Sequence, residues 1–325
     1  MQSFQEAIDS LEDDEKPSIL LANGFSQAWD AGIFNYANLL DAADFGCRET
    51  VMRPLFANLG TYDFEAVMKQ LVAAEAVLNA YGADQTLIDS ITSDKEVLKN
   101  ALITAISSTH PDLPSEVEDT QFVAVRTFLS QFSEVFSINY DLLFYWARNK
   151  SNLDPANYST DDGFRSQRRW EGHETNQEVH FLHGGLHIYD TGTYIKKHAC
   201  TDDGLTIIDQ VRNNLNTGNF PLFVSEPTYQ KKKQRIDHNP YLNYCFQALG
   251  NANGALFVHG HSMDESDKHI FNQIKSSRLS KIFISIFGDE DSEVNTRTKA
   301  NALAFLNGHG VTVDFYQAES TPVWA

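Results

Sequence analysis

Short apolar runs rich in β-branched and aromatic residues recur along the chain, and stretches with helical spacing separate them. The runs at 18–22 (SILLA), 135–138 (VFSI), 179–182 (VHFL), 222–225 (LFVS), 255–259 (ALFVH), 281–287 (KIFISIF) and 311–316 (VTVDFY) read as strands. Several are apolar almost throughout, as parallel strands covered on both faces should be. Residues 206–214, 241–249, 268–276 and 294–307 carry the helical pattern. This alternation predicts a doubly wound, mostly parallel α/β sheet with helices on both faces.

Residues 62–132 break the alternation. Phe64, Val67, Met68, Leu71, Ala74 and Leu78 form one apolar helical face, and Val97, Leu98, Ala101, Leu102 and Ile106 another. The expectation is a helical insertion, 60–132, between the first two strands of a single domain spanning 1–325. Ser115 and Glu118 are expected to cap its last helix. The segment 152–169 is rich in Asn, Asp, Ser and Gly and reads as a mobile loop.

Charge narrows the classes of partner. Asp and Glu number 44 against 25 Lys and Arg, a formal net charge of −19. Such a chain repels a phosphate backbone, so nucleic-acid binding is disfavoured and small molecules or proteins are the expected partners. Hydrophobic residues make up 42%, enough for a core and too many for wholesale disorder. Cys47, Cys200 and Cys245 lie far apart with no C-x-x-C pair, so neither a disulfide framework nor a cysteine zinc site is indicated. The first residues alternate acidic and apolar types, unlike a signal peptide, and no run approaches the roughly 18 apolar residues of a membrane span. The expected setting is cytoplasmic, away from membranes.

Four strand ends carry candidate chemistry. The first runs into Ala22-Asn23-Gly24-Phe25-Ser26, a turn whose backbone N–H groups would face a pyrophosphate at a helix start; an ordinary strand–helix turn reads the same way. The second ends in Ser137-Ile138-Asn139-Tyr140-Asp141, where Asn139 suits a water or ribose hydroxyl and Asp141 an amide, or both simply cap the next helix. The third delivers His183 before Gly184 and Gly185, the position of a general base or of a structural histidine. A later strand ends in His259-Gly260-His261-Ser262-Met263-Asp264, with Gly260 and Ser262 placed to line a ribose or phosphate. Lys231–Lys233 with Arg235 form a basic run, read as a phosphate contact or a solvated helix face. Tyr145 and Trp146 read as core, and Phe34, Tyr36 and Leu40 as a lid or as packing on the sheet.

Taken in order, A-x-G-x-S, S-x-N-Y-D, L-H-G and a late V-x-G-x-S-M-D-x-x-D resemble the sirtuin-like NAD-consuming family, and most nearly the sirtuin-like NAD hydrolase domains of bacterial antiphage defence proteins. The resemblance covers about 18–316 outside the insertion and implies a Rossmann-like fold. It implies that Ala22, Asn23, Gly24, Phe25 and Ser26 cradle the NAD pyrophosphate. Asn139 would position water at the nicotinamide ribose, His183 would be the catalytic histidine, and Asp141 would hold the nicotinamide amide. Ser225, Gly260 and Ser262 would line the adenosine half. Ala22 and Asn23 depart from the family's glycine–alanine–glycine turn, and the four-cysteine zinc module of deacetylating sirtuins is absent. The implied activity is therefore NAD hydrolysis to nicotinamide and ADP-ribose or a cyclic product, with NAD as substrate and no metal, in a defence effector restrained by oligomerisation, by the insertion or by a regulatory partner.

Two other readings stand beside it. One is a sensor that binds NAD or an ADP-ribose relative without cleaving it. The other is a metal-dependent hydrolase using His180, His183, His187, His259, His261, Asp264, Asp267 and His269, since imidazole and carboxylate suit zinc or manganese. His180 and His183, however, should point to opposite faces of a strand.

Overall fold

The computed structural model describes the chain except residues 13–15, 32–38, 109, 176, 200–204, 227, 307–309 and 322. Phe34, Tyr36 and Cys200 therefore lie outside the described residues. Six strands form one parallel sheet: β1 (Ser18–Leu21), β2 (Glu134–Ser137), β3 (Glu178–Phe181), and later Asn253–His259, Arg278–Ile286 and Thr312–Gln317. Three further strands, β4 (Gly184–Asp190), β5 (Ile195–Lys197) and β6 (Pro221–Phe223), precede those last three, which are accordingly β7, β8 and β9. The order in the large sheet is β3-β2-β1-β7-β8-β9, with every neighbouring pair parallel. Counted within the sheet alone this is 3-2-1-4-5-6, the Rossmann order, which reverses between β1 and β7. The fold is thus Rossmann-like α/β.

The run 222–225 corrects the sequence reading. It belongs to a separate antiparallel sheet, ordered β5-β4-β6, and not to the parallel one. Three apolar residues in a row fit either kind of strand, so the pattern alone does not choose.

Helices cover the sheet. α1 (Phe4–Asp9) is closed by a Ser3–Glu6 capping box. Between β1 and β2 run α2 (Asn23–Gln27), α3 (Leu39–Ala42), α4 (Glu49–Leu59), α5 (Phe64–Ala80), α6 (Gln85–Ser107) and α7 (Asp119–Leu129). The cap of α7 is Glu118 with Gln121, not Ser115 with Glu118, because a 3-10 turn at Pro114–Glu116 takes up the earlier residues. His110 anchors the α6–α7 connection: its Nε2 accepts the Leu142 N–H at 2.8 Å while Nδ1 donates to Pro111 O at 2.7 Å. α8 (Leu143–Asn149) buries Tyr145 and Trp146. α9 (Ile207–Asn216), α10 (Tyr229–His238), α11 (Pro240–Asn251), α12 (Lys268–Ser276) and α13 (Glu293–Leu306) complete the set among the described residues. No helix among them is long and apolar enough to cross a membrane.

The polar segment 152–169 is fastened rather than loose. Asp161 and Asp162 are almost fully buried. Arg165 pairs with Asp161 at 2.6 Å, and Arg148 and Lys197 both reach Asp162 at 2.7 Å. Composition marked the segment as irregular, but not its long-range ion pairs.

Candidate functional site

The strand order reverses where β1 and β7 end, and their backbones touch there. The Gly24 N–H donates to Gly260 O at 2.9 Å and the Ala22 N–H to His259 O at 2.9 Å. Gly260 has a φ of +77°, and a β-carbon on Gly24 would stand 2.6 Å from the Gly260 Cα. Only glycine at both positions permits this approach. A cavity of about 660 Å³ opens over the junction, and Gly24, Gly260, His261, Ser262, Ser285 and Trp324 are among its lining residues. Such a crevice, outside the carboxyl ends of the strands at the reversal point, is where this fold class binds ligands.

The cradle expected over Ala22–Ser26 has a different internal arrangement. The Gly24 and Phe25 N–H groups are engaged within the protein, Phe25 donating to Ala22 O at 2.8 Å, so they do not point at a ligand. The Phe25 ring is buried against Trp324, whose Nε1–H donates to Phe25 O at 2.7 Å. Ser26 is fully buried and faces the end of β2 instead of the cavity.

There Ser26, Asn139 and Asp141 meet. Ser26 Oγ donates to Asp141 Oδ2 at 2.5 Å and accepts from Asn139 Nδ2 at 2.9 Å. With the serine proton committed to the carboxylate, the serine oxygen must face the Asn139 NH2, which fixes the amide orientation. Asn139 Oδ1 is left buried without a partner. A buried acceptor in that state is costly unless something donates to it. Burial pushes the Asp141 carboxyl up, against the lowering bonds from Ser26 and the Leu143 N–H. Its Oδ1 accepts that N–H at 2.9 Å, so Asp141 also caps α8.

His183 follows β3, next along the sheet. Gly184 has a φ of +74°, and a β-carbon there would lie 1.9 Å from Leu222 O, so the chain can turn from β3 into β4 only with glycine. His183 is fully enclosed, with Nε2 2.9 Å from His269 Nε2. Burial first, and His269 second, hold its imidazole well below the ordinary value, so it is neutral near pH 7. Tyr140 stacks 6.4 Å from it and donates its hydroxyl to Val224 O at 2.6 Å. Ser225 comes just after this contact, on the His183 side, and is not among the residues lining the cavity with Gly24, Gly260 and Ser262.

Sequence reading missed how Asp267, Lys232 and Glu226 enter. Lys232 Nζ pairs with Asp267 Oδ1 at 2.7 Å, and His261 Nε2 lies 3.5 Å from Oδ2. Burial opposes ionisation of Asp267, but His261 and Lys232 hold its carboxyl well below the usual range. His183, Asp267 and His269 could together hold a metal. The Lys232 ammonium already supplies positive charge to that carboxylate, however, and the two imidazoles contact each other as an N–H···N pair. Of the other metal candidates, His259 bonds Tyr316 through Nδ1 at 2.9 Å and Asp264 caps a 3-10 turn. Glu226, pushed up to about 7 by burial and then by Asp63, has a buried Oε2 with no partner. The rest of the basic run is also paired within the chain: Lys231 reaches Gly60 O, Lys233 pairs with Asp237, and Arg235 with Glu65.

Fold and site together define a Rossmann-like α/β protein with a crevice at the strand-order reversal. The chain belongs to the family described as Domain of unknown function (DUF4917), which matches residues 19–324. No curated protein matches it. Among solved structures it is similar to a Sir2 structure with a deacetylated p53 peptide and 3′-O-acetyl ADP-ribose, at 14% identity and a TM-score of 0.35, over 96% of this chain and 100% of that one. The strand order, not that distant likeness, carries the fold assignment.

Proposed function

We propose that this chain consumes NAD, breaking the nicotinamide–ribose bond with water to give nicotinamide and ADP-ribose. The observation that carries the reading is the buried Asn139 carbonyl oxygen, unpartnered and held in place by Ser26 at the end of β2. It is an acceptor waiting for a donor, as a water or a ribose hydroxyl would be. As the C1′–N bond breaks, its electron pair leaves with nicotinamide, and Asn139 orients the water whose oxygen bonds to C1′. The neutral His183 is the base that takes the water's proton. Gly24, Gly260 and Ser262 lie where the dinucleotide backbone would run. No metal enters this reaction. By the sequence resemblance, the activity would serve as an antiphage effector restrained by self-association or a partner protein.

One observation favours binding without cleavage. Each Asp141 oxygen already accepts a bond from within the protein, from Ser26 and from the Leu143 N–H, so the carboxylate is tied to the fold and not turned to a nicotinamide amide. Incubating the purified protein with NAD and resolving the products by chromatography decides between the readings. Nicotinamide with ADP-ribose or its cyclic form supports hydrolase action. Intact NAD after hours, with measurable binding, supports a sensor.

A further inference from the structure

At the opposite, amino-terminal end of the sheet, His173, Glu178 and His180 bring one ligand atom each within 4.8 Å of the others. Glu178 and His180 project from the same face of β3, two residues apart. His180 Nε2 lies 3.3 Å and His173 Nδ1 3.8 Å from Glu178 Oε2. Both imidazole side chains have no exposed surface.

Neither nitrogen of His180 has a hydrogen-bond partner, and nor does His173 Nδ1. His173 Nε2 lies 3.1 Å from Val179 O. That carbonyl can only accept, so it places the proton on Nε2 and leaves the Nδ1 lone pair facing Glu178. A ligating histidine held by a backbone carbonyl in this way is the usual support of a metal site. The His180 ring stacks on Phe136 at 5.0 Å, which fixes its plane.

Charge points the same way. Glu134 and Glu178 are directly paired across β2 and β3, and like charges so placed repel unless a cation lies between or beside them. Both carboxylates line a cavity of about 620 Å³, with Lys16, Ser18, Tyr244 and Asn253 also on its wall. In contrast to the His183 cluster, no lysine pairs with Glu178 among the described residues.

We infer that His173, Glu178 and His180 form a zinc site, with three protein ligands and a fourth position open to this cavity. Two imidazoles and one carboxylate suit zinc, and an open fourth position is where zinc keeps a water. The site is separate from the Asn139–His183 end of the sheet and does not depend on NAD cleavage.

The test is titration of the full-length, chelator-stripped protein with Co²⁺, followed by displacement with Zn²⁺. The expected result is one Co²⁺ per chain with the intense visible absorption of a four-coordinate ion, lost on adding one equivalent of Zn²⁺. Glu178→Gln and His173→Gln should each weaken binding about tenfold or more. Glu178 is partly exposed, so Glu178→Gln should still unfold cooperatively when metal-free. No visible band in the parent protein, or equal affinity in parent and both variants, would overturn the site and assign the uptake to the acidic surface. Nicotinamide release measured on the same samples reports on NAD cleavage separately.

Discussion

Gly24 and Gly260 stand in backbone contact where the order of strands reverses, the N–H of one bonded to the carbonyl of the other. The contact joins the two halves of the sheet and sets the floor of the crevice above it. Gly24→Ala or Gly260→Ala would place a methyl 2.6 Å from the opposing backbone. Each substitution should lower stability by about 1–3 kcal/mol and weaken ADP-ribose binding. Denaturant unfolding and calorimetry check both effects. Unchanged stability in the two variants would mean that the backbones separate without cost.

Ser26 joins Asn139 to Asp141 through a single hydroxyl. Ser26→Ala removes that hydroxyl with little change of volume. It leaves Asp141 Oδ2 and the Asn139 NH2 each without a partner, while Asp141 Oδ1 keeps the Leu143 N–H, costing about 1–3 kcal/mol. Nicotinamide release should fall more than ADP-ribose binding, because Asn139 loses its orientation while the crevice persists. Equal losses of both would make Ser26 a fold residue only.

The pattern of apolar runs made the sheet legible because parallel strands buried on both faces leave little else to read. The small sheet was not legible. β4 opens on two glycines, and β6 is a three-residue run that fits either sheet. At the site, Asn139, Asp141 and His183 stood out because they directly follow apolar strands, at the carboxyl ends where this fold class gathers polar groups. The contacts among them and with other candidates did not stand out. Asp267 and Glu226 owe their roles to Lys232 and Asp63, which only the folded chain brings near. The Gly24 amide looked free for the same reason, since the carbonyl of Gly260 is remote in sequence, whereas Phe25 is taken up locally by Ala22 O.

Acid should unfold this protein through its buried histidines. Burial depresses His110, His198 and His259 from 6.5 to about 4 in the folded state. Between those values the unfolded chain binds more protons, so stability is full above about pH 6.5 and falls as pH drops toward 4. Together the three withdraw on the order of several kcal/mol. Glu226, raised to about 7, acts in the opposite sense and loses its contribution as pH rises from 4.5. Denaturation midpoints at about pH 7, 5.5 and 4.5 should decline steadily. A flat profile would contradict neutral burial of these imidazoles.

The most direct measurement of the central claim is nicotinamide release from NAD by the parent protein and by Asn139→Ala, with circular dichroism and ADP-ribose binding on both. The account predicts release by the parent and a loss of about a hundredfold or more in the variant, with fold and binding retained. Equal release by the two proteins would contradict it.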